Sequence, residues 1–266
     1  MSGMTRLAHE RYCAEIAHQT GQLRAVVTSG ADLAATVPTC PDWSLEELVR
    51  HVGGALRWVE ATVRTRSAQE IPEDRVPGLA GPHTTGDAAA LDAWLAESAE
   101  LVVAAVRDAG PEAAVWSWTG EHTAGFWARR MAHEVTVHRA DATLAAALPY
   151  EVAPEIAADA IDEWLDIVRF VQRTEPEAAG LRGRGQTLHL HATDAPAGLD
   201  AEWIVHLAED GVRWRRGHEK ADVVLRGPLT DVLLAFYRRL PLDGPRLEVL
   251  GERPLLEFWL ERATFG

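Results

Sequence analysis

Apolar residues recur at three- and four-residue spacing from the N-terminus to about residue 176, which is typical of amphipathic α-helices. The pattern predicts five helices, four of which form a bundle. Their expected bounds are about 5–30, 44–66, 87–109, 122–148 and 154–173. Ser44 and Glu47 form a capping-box pattern at the start of the second helix. Proline and glycine punctuate residues 69–86, a predicted surface loop that could act as a lid.

The period changes from helical spacing to alternation after Gly180, Gly183 and Gly185. Short strands joined by tight turns are expected in QTLHLHAT, EWIVHLAE, GVRWRRG and DVVLRG, and LEVLG is a further strand candidate. Two helices, at about 229–239 and 254–264, complete this part. The boundary is predicted at about 174–182, between a helical bundle at roughly 1–176 and a small α+β domain at roughly 182–266.

Charge and composition narrow the classes of partner. The chain has 26 basic and 40 acidic residues, a net charge of -14, which makes nucleic acid an unexpected ligand. No window of about 18 uncharged apolar residues occurs, and the charged start lacks the apolar region of a secretory signal. A cytoplasmic protein with no membrane partner is expected. Two cysteines are too few for a cysteine zinc cluster, so any metal must be bound by histidine and carboxylate.

The segment FWARRMAHEVTVHRADA, residues 126–142, carries the most informative polar residues. Glu134 and His138 are one helical turn apart beside an apolar stripe, so both are expected to point into the bundle. His133 and His138 are five residues apart, or about 140° around a helix, and so the metalloprotease HExxH motif does not fit. Glu134 and His138 can bind one ion together, with at least one further ligand from another helix.

His51 on the second helix is the candidate for that further ligand. It shares a helical face with Leu48, Ala55 and Trp58, and the adjacent pair Gly53–Gly54 lets a neighbour or ligand approach closely. Three protein ligands are the number found at a catalytic zinc. On spacing alone, however, a hydrogen-bonded core histidine and a simple ion pair between Glu134 and His138 are the commoner arrangement.

Two longer motifs, VPTCPDWSLEELVRHVGG and RRMAHEVTVHRADA, resemble the signatures of the mycothiol-dependent maleylpyruvate isomerase family. That family belongs to the DinB-like four-helix-bundle metalloproteins of actinobacteria, and its small C-terminal domain is like the sterol-carrier fold. The resemblance implies a divalent metal, usually zinc, held by His51, Glu134 and His138, with water or the thiol of mycothiol at a fourth position. Arg139 and Asp141 match the family's HRxDA ending and are expected to be structural. His133 is expected behind the ligands or on the surface.

The implied chemistry is activation of a thiol, which adds to the double bond of maleylpyruvate or a related unsaturated acid and leaves after rotation. Transfer of mycothiol to another electrophile is the alternative. A lipid- or effector-binding protein with a structural metal, and hydrolysis with His133 as base, are further hypotheses. The partners are then a small-molecule substrate and the thiol, with a monomer or small homo-oligomer expected. Arginines of the second domain could bind a substrate carboxylate, the candidates being Arg213, Arg215, Arg226 and Arg246.

Three other residues are predicted to be without function. Cys40, in the PTCPDW turn, is expected to be a packed small thiol. His189 and His191 share one face of a predicted strand and could in principle bind a metal. Solvent-facing strand residues alternate in the same way, however, so no site is expected there.

Overall fold

The computed structural model describes residues 6–174 and 180–263. Four long helices and a small hairpin form its first unit, and the chain divides between Tyr150 and Glu151. In chain order the elements of this unit are α1 (His9–Val27), β1 (Thr36–Val37), β2 (Cys40–Ser44), α2 (Leu45–Arg64), a short 3-10 turn (Glu73–Arg75), α3 (Ala88–Ala109) and α4 (Ala124–Ala145). Each helix lies within a few residues of its predicted bounds. Residue 5, where the first was expected to begin, lies outside the described part.

Side-chain caps explain where two of these helices begin. The predicted capping box is present on α2, where the Glu47 amide donates to the Ser44 hydroxyl and the Glu47 carboxylate accepts from the Ser44 amide. On α4, the Thr123 hydroxyl accepts from the Phe126 amide. The four helices enclose one apolar core with Leu48, Trp127 and many other buried side chains. Burying each large apolar side chain contributes about 1.5–3 kcal/mol.

The loop 69–86 is bonded to the helices beneath it. The Trp58 indole donates to the Ile71 carbonyl at 2.7 Å, and the Trp94 indole donates to the Gly78 carbonyl at 2.9 Å. At Gly53, a Cβ atom would lie 2.2 Å from the Trp94 ring, so this glycine admits the neighbouring helix α3. These contacts attach the loop to α2 and α3, and its action as a lid remains a prediction.

The second unit contains a five-stranded sheet with helices. Its elements are α5 (Pro154–Thr174), β3 (Gln186–Ala192), β4 (Glu202–Ala208), β5 (Gly211–Arg216), β6 (Val223–Gly227), α6 (Leu229–Phe236), β7 (Glu248–Gly251) and α7 (Arg253–Arg262). The strand order is β5-β4-β3-β6-β7. Only the central β3–β6 pair is parallel. The predicted strands and both closing helices are therefore present, although Thr264, the expected last helical residue, lies outside the described part.

Helix α5 belongs with the sheet, which moves the division of the chain upstream of the predicted boundary at 174–182. The Trp203 indole of β4 donates to the Asp162 carboxylate of α5 at 2.7 Å, and the Tyr237 hydroxyl donates to the Ala160 carbonyl at 2.9 Å. Helical periodicity reveals an apolar face on α5 but does not reveal which core covers it. Residues 175–179 of the predicted boundary lie outside the described part.

No helix in the described ranges combines the length and apolar character needed to cross a membrane.

Candidate metal centre

Two helices of the first unit bring together the three residues expected to be metal ligands. His51 projects from α2, and Glu134 and His138 lie one turn apart on α4. His51 Nε2 is 3.0 Å from Glu134 Oε1, and His138 Nε2 is 3.2 Å from the same oxygen. The two imidazole centroids are 4.9 Å apart. The convergence expected from the sequence is therefore present, and metal binding itself remains a prediction.

The donor atoms suit a divalent transition ion. One atom from each of His51, Glu134 and His138 lies within 4.8 Å of the other two. A tetrahedral ion about 2.1 Å from each donor would space the donors about 3.4 Å apart. The separations of 3.0 and 3.2 Å between Glu134 Oε1 and the two imidazole nitrogens are close to that value, so small side-chain rotations would admit an ion. Two imidazoles and one carboxylate are ligands that zinc accepts readily.

Asp141 holds the imidazole of His138 in position. Its Oδ2 lies 3.0 Å from His138 Nδ1, and its Oδ1 accepts from the Thr39 hydroxyl at 2.5 Å. A proton fixed on Nδ1 by this carboxylate leaves Nε2 to bind a metal. Asp141 was expected to form a structural salt bridge or to pack between helices, and in the structure its salt-bridge partner is the candidate ligand His138. The signal was the three-residue spacing from His138 along one helix.

Arg130 holds the Glu134 carboxylate in position, and this residue was not among those predicted from the sequence. Its guanidinium donates to Glu134 Oε2 at 2.7 Å, while Oε1 faces the two histidines. The four-residue spacing places both side chains on one face of α4, so the pair could have been found from the sequence. Because Arg130 occupies one oxygen, the carboxylate presents the other to an ion.

Opposite charges determine the protonation of the metal-free cluster. Burial alone would raise the pKa of Glu134, but His138 and Arg130 outweigh it and hold that pKa well below its ordinary value. Burial alone would lower the pKa of His138, but Glu134 and Asp141 raise it to about 9. An ionised Glu134 therefore faces a protonated His138, and a metal ion must displace the proton on Nε2.

Solvent reaches the cluster at His51. The His51 side chain is 39% exposed, against 18% for Glu134 and 13% for His138. The sequence placed His51 on an inward face, and its neighbour Leu48 is fully buried, but the imidazole lies at the edge of that face. The Trp43 ring of β2 flanks the cluster, with centroids 4.7 Å from His51 and 6.2 Å from His138. A small molecule can thus approach beside an indole.

Other residues of the two motifs pack in the bundle. His133 is fully buried with its ring edge against Tyr12, so it is not on the surface and does not suit a solvent-facing base. Arg139 donates to Gln19 and stacks 4.1 Å from the Tyr150 ring centroid, which agrees with a structural role. Cys40 is half-buried on β2.

The four arginines proposed for a substrate carboxylate all have acidic partners within the second unit. Each forms an ion pair with a nearby side chain, the pairs being Arg213–Asp210, Arg215–Glu219, Arg226–Glu248 and Arg246–Asp231. These contacts single out none of the four for a substrate. Their role therefore remains a prediction.

A DinB-like bundle that gathers two histidines and a glutamate, followed by a sheet-containing unit, defines the class of protein. Two family models match the chain: the mycothiol maleylpyruvate isomerase N-terminal domain over residues 13–143, and the MDMPI C-terminal domain over residues 155–258. The chain belongs to the mycothiol maleylpyruvate isomerase family, and it is an enzyme of that type.

Solved structures agree with this fold. The crystal structure of a His-to-Ala mutant of mycothiol-dependent maleylpyruvate isomerase aligns with a TM-score of 0.61 at 16% identity, covering 94% of this chain and 98% of the other. A second crystal structure of mycothiol-dependent maleylpyruvate isomerase aligns at 0.58 and 17% identity with the same coverage. At such identities the likeness concerns the fold alone. No curated protein sequence matches.

Proposed function

We propose that the protein is a metal-dependent enzyme that uses mycothiol for the cis–trans isomerisation of maleylpyruvate or a related unsaturated acid. The observation that carries this proposal is the convergence of His51, Glu134 and His138, with Asp141 behind one imidazole and Arg130 behind the carboxylate. Family membership supports mycothiol as the thiol and an unsaturated acid as the substrate.

The chain's own residues would bind and orient. His51, Glu134 and His138 would hold the ion, which supplies one thing when bound: it lowers the pKa of a thiol beside it, so that thiolate exists at neutral pH. Asp141 keeps His138 Nε2 available as a ligand, and the Trp43 ring excludes water from one side of the cluster. These contacts prepare the site before substrate arrives.

The reaction itself needs no external oxidant or reductant. The thiolate adds to one carbon of the substrate double bond, the carbon–carbon single bond rotates, and the thiolate leaves to give the trans acid. Electrons and atoms balance because the same sulfur enters and departs. Mycothiol is therefore regenerated, which distinguishes isomerisation from transfer to an electrophile.

The number of ligands supports an enzyme over a purely structural metal. In the described part of the chain, this cluster offers three histidine or glutamate ligands, whereas structural zinc usually has four protein ligands. Three protein ligands leave room for a substrate atom in the coordination sphere.

The test is an assay of the zinc-loaded protein with mycothiol and maleylpyruvate. We expect fumarylpyruvate to form without net loss of thiol. His51→Ala and Glu134→Ala should each lose the zinc of this cluster together with activity, and His18→Ala, at an exposed histidine of α1, should keep both. A stable thiol conjugate would instead establish a transferase. Full metal content in both site variants would refute the ligand assignment.

A further inference from the structure

A second cluster of histidines lies in the sheet of the second unit. His189 and His191 are two residues apart on β3 and so share one face of the sheet. Glu202 of β4 is directly opposite His191 in the antiparallel pairing of the two strands. His218 follows β5, the strand that pairs with β4 on its other side. The sheet register thus brings together four residues that are distant in sequence.

All three imidazoles meet a single carboxylate oxygen. Glu202 Oε2 lies 2.8 Å from His189 Nε2, 2.7 Å from His191 Nδ1 and 2.6 Å from His218 Nδ1. A carboxylate oxygen has about two lone pairs that can accept hydrogen bonds, so three imidazole nitrogens are more than one such oxygen can accept from at once. Convergence of this kind is expected where nitrogen and oxygen ligands surround a cation.

Burial separates this cluster from an ordinary exposed strand face. The His189 side chain is only 4% exposed, and those of His191 and Glu202 are 23% and 25% exposed. From the sequence, His189 and His191 were both expected to face solvent, and for His189 this expectation is wrong. The expectation failed because strand alternation gives the face but not what covers it. His218, 71% exposed, completes the cluster from the solvent side.

We propose that His189, His191, Glu202 and His218 form a second metal site, which takes a first-row divalent ion such as Zn²⁺. One donor atom from each residue lies within 4.8 Å of the others. Three imidazoles and a carboxylate suit zinc and its neighbours in the first row. Four protein ligands are the number typical of structural zinc, in contrast to the three of the bundle cluster.

The role of such an ion would be to fasten the sheet. It would join β3, β4 and the segment after β5 that carries His218. An ion that binds only the folded unit stabilises it in proportion to RT ln(1 + [L]/Kd). This proposal does not rest on the proposed isomerase chemistry, because the two clusters share no ligand.

The test is zinc stoichiometry of the full-length protein, measured by metal analysis after equilibration with buffered Zn²⁺. We expect the zinc content to fall by one equivalent per chain in His191→Gln and in His218→Gln. We expect Glu134→Ala to keep that equivalent, so failure of the bundle site and failure of this site give different patterns. Zn²⁺ should also raise the melting temperature of Glu134→Ala, and this shift should vanish when His218→Gln is added.

Two controls keep the test decisive. His206 lies on the same strand and face as Glu202, four residues away, so His206→Gln should retain the full zinc content. His218 is exposed, and its replacement should leave the folded sheet intact by circular dichroism. Zinc content unchanged in both His191→Gln and His218→Gln would overturn the proposal and identify the cluster as a hydrogen-bonded network only.

Discussion

Replacing Asp141 separates its two effects on the candidate ligand His138. Asp141→Asn keeps an oxygen that can accept from His138 Nδ1 but removes the negative charge. Asp141→Ala removes both the acceptor and the charge. Asp141 is fully buried and also accepts a hydrogen bond from the Thr39 hydroxyl, so its carboxylate is held in place beside His138.

Losing the Asp141 charge and losing its acceptor oxygen have opposite effects on zinc affinity at pH 7. The wild-type pKa of His138 is about 9, so at pH 7 protons reduce the apparent zinc affinity about 100-fold, and this penalty disappears as the pH rises through the pKa. Removing the Asp141 charge lowers that pKa and so relieves the competition at pH 7. Losing the acceptor loosens His138, which typically costs about 10–100-fold in metal affinity, or about 1.4–2.7 kcal/mol.

The assay is competition for Zn²⁺ with a chromogenic chelator at about pH 7 and about pH 9.5, on either side of the wild-type pKa. The zinc affinity of Asp141→Asn, relative to that of the wild type, should be higher at the lower pH than at the higher pH. Asp141→Ala should show its full 10–100-fold deficit only at the higher pH. If zinc affinity changes with pH by the same factor in both variants and in the wild type, Asp141 does not raise the pKa of His138. Wild-type affinity of Asp141→Ala at the higher pH would show that it does not orient the ring.

Three further predictions concern stability, each measured by denaturant unfolding. In the metal-free protein, the raised pKa of His138 contributes roughly 3 kcal/mol to the free energy of unfolding. This contribution is present below the unfolded pKa of 6.5 and is lost as the pH rises through the folded pKa of about 9. Equal stability at the two ends of that window would contradict the prediction. Gly53→Ala should destabilise the protein by about 1–3 kcal/mol, because the added Cβ would lie 2.2 Å from the Trp94 ring. Gly21→Ala, where α1 has open space around the glycine, should stabilise it by about 0.5–1 kcal/mol. A change of the same sign in both variants would refute the packing argument. Ser44→Ala should cost about 1 kcal/mol, and no loss would show that the capping box contributes little.

Local signals in the sequence were sufficient for the helices and for two of the three candidate metal ligands. The Ser44–Glu47 box marks the start of α2, and the one-turn spacing of Glu134 and His138 places both on one face of α4. His51 required the added step that α2 and α4 are neighbours, which the expected antiparallel bundle suggested and the family resemblance supported. These features depend on residues close in sequence or on one helical period.

Features that depend on long-range geometry were not accessible. The hydrogen bond from Thr39 to Asp141 joins residues that are 102 apart in the sequence, and Thr39 lies between the strands of a hairpin too short to leave a periodic pattern. The partner of α5 depends on which core covers its apolar face. The histidine cluster of the sheet requires the register of β3 against β4 and the turn that returns His218 to Glu202.

His51 and Glu134 are separated by 83 residues and meet only after α2 and α4 have docked in register. A shift of either helix by one residue rotates its side chains by about 100° and disperses the donors. High-affinity uptake of an ion by this cluster would therefore report that the bundle has assembled correctly. In a refolding experiment, zinc capture should lag behind the gain of helix, and the interval between the two would time the docking step.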